Sequence, residues 1–239
     1  EMAAAAQRQS VVEKPFGAYK AISLRGGILS VDDNAVPGNE LKVVILAVAH
    51  ENQYYDKPFN PSTPVSPACY AFGDMSLDDP EGGMKPHEEA DNKQGDDNGL
   101  CNGCWANVMG SAEQGRGKAC KNVRRMAVFT EDALESAQTI EEAEIRMLKV
   151  SVTSVKNWSN YVRNKLTEEL NRPYWGVITR LHVVPDAKTQ FKVTFACDSM
   201  IDFDEATYAA LKGRIKEVSG ALVAPYPKLD QQEQPQKRG

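Results

Sequence analysis

Four of the five cysteines gather in one stretch of the chain, and their spacing strongly constrains how that stretch can fold. Cys101 and Cys104 form a CxxC pair, Cys120 follows 16 positions after the pair, and Cys69 precedes it by 32 positions. The tight turn of a CxxC pair lets two sulfur atoms face one ion, and four thiolates can hold one zinc ion tetrahedrally. The spacing therefore predicts a structural zinc site, because four protein ligands leave no open position for activating a water molecule.

Other interpretations of these cysteines stay open. His87 lies in the segment between Cys69 and Cys101 and could replace Cys69 as the fourth ligand. Four cysteines can also hold an iron–sulfur cluster. A CxxC pair can be redox-active, although the βαβ context usual for that chemistry is absent from this sequence. The simplest alternative is a set of ordinary buried thiols, which is what we expect for Cys197 in its strand-like run.

A dense basic stretch surrounds the last cysteine of the group. Five cationic residues fall within ten positions: Arg116, Lys118, Lys121, Arg124 and Arg125. The GxxxxGK[ST] spacing of a P-loop is not met, and a solvated charged loop is the simplest alternative to a phosphate-binding segment. If the residues from Lys121 onward form a strand, Arg124 and Arg125 point to opposite faces, so only one of them can line a given groove.

Aromatic residues stand near this basic stretch in the sequence. Positive charge interleaved with aromatic rings is what a groove for single-stranded nucleic acid needs. We expect one to three rings to touch bases, because most rings in any protein belong to the core. The candidate stacking rings are Trp105, Tyr54, Tyr55, Phe59, Tyr70 and Phe72.

Composition narrows the class of protein. The 239 residues suffice for one substantial domain, and 41% hydrophobic with 26% charged residues is ordinary for a soluble globular protein. The net charge of −5 means that any anion site has to come from local charge patterning. No run approaches the roughly 20 apolar residues of a membrane span, and from the pattern of residues 1–6 we expect no secretory signal there. An odd number of cysteines suits a reducing compartment, so we expect a cytoplasmic protein with no membrane partner.

Hydrophobic periodicity predicts a mainly β chain with flanking helices. Predicted strands cover 41–50, 121–130, 146–152, 175–184 and 189–197, and predicted helices cover 154–170 and 204–218. This order indicates a small barrel of the OB type with long insertions. We expect a flexible N-terminus at 1–15 and a single OB-like domain at 16–222, with the four-cysteine zinc loop in an insertion at about 57–120. Residues 223–239 are expected to form a flexible tail.

The cysteine and basic motifs resemble those of a family of bacteriophage proteins from replication and recombination modules. The shared patterns are CxxCWANxxGS from Cys101 to Ser111 and GxGKACxxxRRxA from Gly115 to Ala127. Trp158 and Tyr161 in a helix, Thr179 in a strand and the run QFKVTF at 190–195 are similar as well. The likeness spans roughly 68–195.

The resemblance implies an OB-like, zinc-containing protein that coats single-stranded DNA in the infected bacterial cell. Its partners would be the DNA strand, phage replication proteins and further copies of the chain along the strand. Phosphates would contact Arg116, Lys118, Lys121, Arg124 and Arg125, and bases would stack on Trp105, Tyr54 and Tyr70.

Two other functions compete with single-stranded DNA binding. One is a Mg²⁺-dependent nuclease, which needs clustered carboxylates, and the other is a zinc-braced module that binds another protein.

Overall fold

The computed structural model describes residues 19–57, 65–73, 83–113 and 116–226. The predicted flexible segment 1–15, most of the predicted tail and the candidate ring Phe59 lie outside these residues. The described strands are β1 (Lys20–Ser23), β2 (Ser30–Val31), β3 (Asn34–Ala35), β4 (Glu40–Tyr54), β5 (Cys69–Gly73), β6 (Lys121–Thr130), β7 (Arg146–Val150), β8 (Val177–Asp186) and β9 (Gln190–Met200). The helices are α1 (Ala137–Glu142), α2 (Val152–Asn160), which continues as π-helical turns over Tyr161–Glu169, and α3 (Glu205–Leu222), with short 3-10 turns at Arg25–Gly27, Pro37–Asn39, Trp105–Asn107, Glu131–Glu135 and Tyr174–Gly176.

The long strand β4 organises the sheet. Its apolar run from Val43 to Ala49 is almost entirely buried, as a strand rich in β-branched residues and covered on both faces should be. Along one edge β4 pairs with β6, and along the other it pairs first with β8 and then, over its last five residues, with β5. β4 is therefore the strand that connects every other part of the sheet.

The described strands form one mixed sheet that curls into a half-barrel. Their order is β3-β2-β1-β7-β6-β4-β8-β9, with β5 added beside β4. The β1–β7 pair is parallel and the other pairs are antiparallel. The predicted mainly β class with flanking helices is confirmed, but nine strands in the described residues exceed the five expected. The additional strands β1, β2, β3 and β5 are short: β1, β2 and β3 pair with one another in sequence order, and β1 also pairs with the distant β7.

Each face of the sheet is covered by different helices. On one face, α1 and α3 pack through Ile140, Leu211 and Val218 against Val44 and Phe129. On the other face, α2 and its π-helical continuation bury Trp158 and Leu166 against Ile45 and Leu148. The helix predicted over 154–170 is present, and its Trp158 is 1% exposed and lies in the core.

The C-terminal half follows the sequence prediction closely. The predicted strands 175–184 and 189–197 correspond to β8 and β9, which pair as an antiparallel hairpin. Asp204 caps α3 by accepting a hydrogen bond from the Thr207 amide at 2.7 Å. The predicted helix end at Val218 is too early, because α3 runs on to Leu222. Ala221 and Leu222 are buried in the core, so packing extends the helix past Gly220.

Helix α2 also covers the edge strand β9. The Ser154 hydroxyl accepts a hydrogen bond from the Val193 amide at 2.9 Å, and the Asn157 side-chain amide donates to the Val193 carbonyl at 2.8 Å. Unpaired backbone groups on an edge strand invite pairing with other chains. These two side chains therefore satisfy backbone groups of β9 that no other strand of the described residues pairs with.

We expect Ser154→Ala to lower the free energy of unfolding by about 1–3 kcal/mol, because it leaves a buried amide without its acceptor. Ser154 is fully buried. Urea denaturation measures the change, and Ser159→Ala, a half-buried serine on the same helix, is the matched control with an expected change within about 0.5 kcal/mol. Equal effects of the two variants would contradict this role of Ser154.

Candidate functional site

Four buried cysteines line one small cavity on the α2 face of the sheet. The β4–β5 register sets Cys69 opposite Tyr54, and Cys101, Cys104 and Cys120 reach the same cavity of about 10 Å³. The CxxC turn is closed by the Cys104 amide, which donates to the Cys101 carbonyl at 3.3 Å. The Cys120 amide donates to the Ala106 carbonyl at 2.7 Å, which holds the start of β6 against this turn. The structure thus brings together all four cysteines selected from the sequence.

Polar groups of the surrounding chain are directed at three of the four sulfur atoms. The Gln94 amide donates a hydrogen bond to Cys69 Sγ at 3.2 Å. The Asn52 side chain acts to lower the pKa of Cys101, and the Gln53 backbone acts to lower the pKa of Cys120. Donors directed at sulfur favour the thiolate form, which is the form that binds metals.

Burial has the opposite effect on these thiols. It raises the pKa of Cys69 above its ordinary value, that of Cys101 to about 11 and that of Cys120 to about 12. The buried thiols therefore stay protonated at neutral pH unless a cation joins them, since a coordinated thiol loses its proton. The donor set and its N–H···S bonds fit a thiophilic ion such as Zn²⁺.

The convergence of thiols is distinct from a formed metal site. Among residues 19–57, 65–73, 83–113 and 116–226, no group of three or more His, Cys, Asp or Glu side chains has the arrangement that a metal ion requires. His87 does not line the cysteine cavity. It stacks on Tyr70 with ring centres 5.1 Å apart. Cys69 rather than His87 therefore accompanies the other three cysteines, and zinc stays a prediction.

The turn between the cysteines carries an exposed tryptophan. Trp105 follows Cys104 directly and is 51% exposed. Its ring meets Tyr54 edge-on at 5.5 Å, and its indole N–H donates to Gln94 Oε1 at 2.9 Å. Tyr54 is half-buried. Trp105 is thus held by two neighbours while about half of its surface stays exposed.

The cationic residues divide among three environments. Arg116 and Lys121 are exposed, and Lys118 is half-buried. The Lys118 ammonium donates to the side-chain oxygens of Asn107 at 3.0 Å and Asn122 at 3.2 Å. These three cations lie within 116–121, the stretch around Cys120, and Cys120 lines the same cavity as Cys104.

Arg124 and Arg125 lie on opposite faces of β6, as the strand alternation predicts. Arg124 lines a second pocket on the cysteine face. Arg125 is 1% exposed on the other face, where its guanidinium donates to Glu51 Oε1 at 2.8 Å. A phosphate contact by Arg125, as predicted from the sequence, requires an exposed guanidinium. The Arg125 side chain is buried instead and does not reach the protein surface.

Tyr70 also lies away from the predicted groove, because side chains alternate between the two faces of a strand. It pairs with Gln53 on the face opposite Tyr54 and Cys69, and it is only 3% exposed. Its ring packs against His87 and against Tyr226, with ring centres 5.1 and 5.0 Å apart. Tyr70 therefore does not belong to the exposed surface around Trp105, where we expected it to stack on bases.

The sequence reasoning missed the polar end of β4. Glu51 and Gln53 enter a buried network on one face, while His50 and Asn52 line a pocket on the other. The signal was the run HENQ, which continues an apolar strand with four polar residues. Such an abrupt change of polarity inside one strand indicates buried polar contacts on both faces.

Comparison of this chain with known protein families, with curated proteins and with solved structures gives no match. The resemblance to the phage family therefore stays an expectation that rests on the motif residues. Within the described part of the chain, no helix is long and apolar enough to cross a bilayer. Any function assigned to the protein has to come from its own residues and their contacts.

Proposed function

We propose that this protein binds single-stranded DNA without catalysing a reaction, and that it coats the strand during phage replication or recombination. The observation that carries the proposal is the exposed Trp105, which lies on a cysteine-fastened segment together with exposed cations. Trp105 follows Cys104 and Lys121 follows Cys120, and these two cysteines line the same cavity. The aromatic ring and the charge are therefore held close together.

This combination matches what a single strand offers. A base presents a flat π-face to an aromatic ring, and the backbone presents phosphates to Lys and Arg. Stacking tolerates every base, so binding should depend weakly on sequence and strongly on salt. Arg116, Lys118 and Lys121 supply charge locally in a chain whose net charge is −5.

The proposal includes a zinc ion held by Cys69, Cys101, Cys104 and Cys120. When bound, zinc supplies a structural brace and no reactive position, because all four ligands are cysteines. The brace fixes the segment that carries Trp105 relative to β4 and β6. We also propose that the half-barrel is a partly closed OB-like barrel, since such barrels commonly bind single strands.

A second candidate function is a surface that binds another protein. Val108 is 54% exposed and Met109 is 68% exposed, and both come directly after the turn that carries Trp105. Neighbouring exposed apolar side chains often mark a protein contact. This candidate predicts that Val108 and Met109 matter for a partner protein while oligonucleotides do not bind.

Fluorescence anisotropy of labelled oligonucleotides, titrated at several salt concentrations, tests the proposal. With three phosphate contacts, the logarithm of the association constant should fall against log salt with a slope of about −2. Trp105→Ala should weaken binding about 10–100-fold by removing one stacked base. Tyr208→Ala is the control, because Tyr208 is a 42% exposed ring on α3.

Each rival has its own result in this experiment. Absence of binding at low salt would overturn the DNA-binding proposal and favour the protein-binding surface. Cleavage of the oligonucleotide in the presence of Mg²⁺ would favour the nuclease. Binding that Trp105→Ala and Tyr208→Ala weaken equally would remove Trp105 from the contact surface.

A further inference from the structure

A polar pocket of about 290 Å³ lies beside the cysteine cavity. Asn52, Cys101 and Asn107 line both spaces, so the pocket lies directly behind the cysteine turn. Its lining also includes Arg124, Lys118 and His50, and within the described chain it includes no carboxylate. Asn102, which is exposed, lies on the lining and connects the pocket to solvent. The pocket therefore concentrates positive charge in an accessible hollow.

Arg124 is the most unusual residue of this lining. Its side chain is buried, with 8% exposure, and its described hydrogen bond runs from Nη1 to the neighbouring Val123 carbonyl at 3.0 Å. Nε has no partner, and no carboxylate in the described part of the chain forms an ion pair with the guanidinium. Burial lowers the pKa of Arg124 to about 10, so the group stays charged at neutral pH.

The neighbouring Arg125 is a buried arginine whose charge is compensated by a carboxylate of the protein. Arg125 is buried as well, at 1% exposure, but Glu51 pairs with it at 2.8 Å. Burying a charge without a partner is costly. The two residues therefore differ in one respect that matters, since Arg125 has an internal carboxylate while Arg124 faces a hollow.

Lys118 brings a second positive charge to the same pocket. Its ammonium is held by neutral oxygens of Asn107 and Asn122, and the Asn122 amide donates in turn to Asn52 Oδ1 at 2.5 Å. This ladder of amides positions the ammonium without neutralising it. A guanidinium beside an ammonium is the donor pattern that phosphate groups bind, because both donate charge-assisted hydrogen bonds.

We infer that this pocket is a phosphate site in which Arg124 and Lys118 hold one phosphate group. The volume is near the lower end of small-molecule sites, which leaves room for a sugar attached to the phosphate. The phosphate belongs to a DNA strand only if the proposed function is correct, whereas the anion site stands without it. A free nucleotide and inorganic phosphate offer the same chemistry.

The test uses Arg124→Met, which removes the charge and keeps most of the side-chain volume, and Lys118→Met. The probes are inorganic phosphate, a deoxynucleoside monophosphate, and one oligonucleotide with and without a 5′-phosphate. We expect each variant to bind the monophosphate at least tenfold more weakly than the wild type. Arg163→Met, on an exposed arginine of the π-helical turns, is the control and should bind normally.

Thermal unfolding keeps the result interpretable. Phosphate should raise the melting temperature of the wild type and leave that of Arg124→Met unchanged, because a ligand stabilises only the state that binds it. Arg124→Met should itself be at least as stable as the wild type, since it removes an uncompensated buried charge. A strongly destabilised variant would show that Arg124 has an internal partner and would overturn the inference.

The outcomes separate this inference from the proposed function. If the monophosphate binds through Arg124 but oligonucleotides do not, the anion site stands and the DNA-binding proposal falls. If oligonucleotides bind equally well to Arg124→Met and the monophosphate does not bind, the pocket inference falls and the DNA-binding proposal stands. A 5′-phosphate that strengthens binding identifies a strand end as the occupant, and equal binding identifies an internal phosphate.

Discussion

Replacing Arg125 by Met is expected to lower the free energy of unfolding by about 3–5 kcal/mol, because it leaves the carboxylate of Glu51 buried without its main partner. Glu51 is 0% and Arg125 1% exposed, and their side chains meet at 2.8 Å. Lys149 Nζ lies 3.4 Å from the other carboxylate oxygen but keeps access to solvent. One remaining ammonium at that distance is a weaker counter-charge than a directly bound guanidinium.

The loss should also loosen the end of the described chain. Arg125 Nη1 donates to the carbonyls of Leu222 and Ala224 at 3.2 Å each. The guanidinium lies over the ring of Tyr226, 4.8 Å from its centre, and the Tyr226 hydroxyl donates to Glu51. The segment expected to begin a flexible tail at 223 is therefore fastened to the sheet as far as Tyr226.

Urea denaturation of three variants tests this role. Arg163→Met, on an exposed arginine, should change the unfolding free energy by less than about 0.5 kcal/mol. The double variant Glu51→Leu with Arg125→Met should regain much of the lost stability, because replacing both charges by apolar groups removes the unpaired carboxylate. If Arg125→Met alone is as stable as the wild type, the pair contributes nothing to the fold.

Local pattern was enough to predict the long strands. β6, β8 and β9 carry β-branched and aromatic residues between clear turn signals. The short apolar run of β4 is rich in β-branched residues, which is typical of a buried strand. The short strand β5 has no such signal. It forms because its five residues pair with the end of β4 across the connection at 55–68. Contacts of this kind cannot be read from a local window.

In the candidate site, too, local pattern predicted some features and pairing across the sheet decided the others. Spacing selected the four cysteines, and the structure places all four on the lining of one cavity. Strand alternation separated Arg124 from Arg125, but the choice of face depended on the register that pairs His50 with Arg124. The same register decides that Tyr54 joins the cysteine face while Tyr70 leaves it. Side-chain direction was predictable, and the partner across the sheet was not.

The four-cysteine cavity leads to the second large expected effect, which concerns metal removal. We expect the purified protein to contain about one zinc ion per chain, and a strong chelator to destabilise it by about 4 kcal/mol or more at metal concentrations 1,000-fold above the dissociation constant. Iron and acid-labile sulfide should be absent if zinc is the native ion. Their presence would identify the iron–sulfur alternative, which uses the same four thiolates.

Cysteine variants locate the metal independently of any binding activity. Cys101→Ser and Cys120→Ser should lose the zinc and unfold at lower temperature, because both thiols line the cavity and each supplies one of four ligands. Cys197→Ser is the matched control, since Cys197 lies on β9 outside that cavity. Cobalt substitution should give thiolate-to-metal charge-transfer bands in the wild type and in Cys197→Ser. If the protein is metal-free and all three variants behave alike, the cavity holds ordinary buried thiols, and Trp105 is positioned by its contacts with Tyr54 and Gln94 alone.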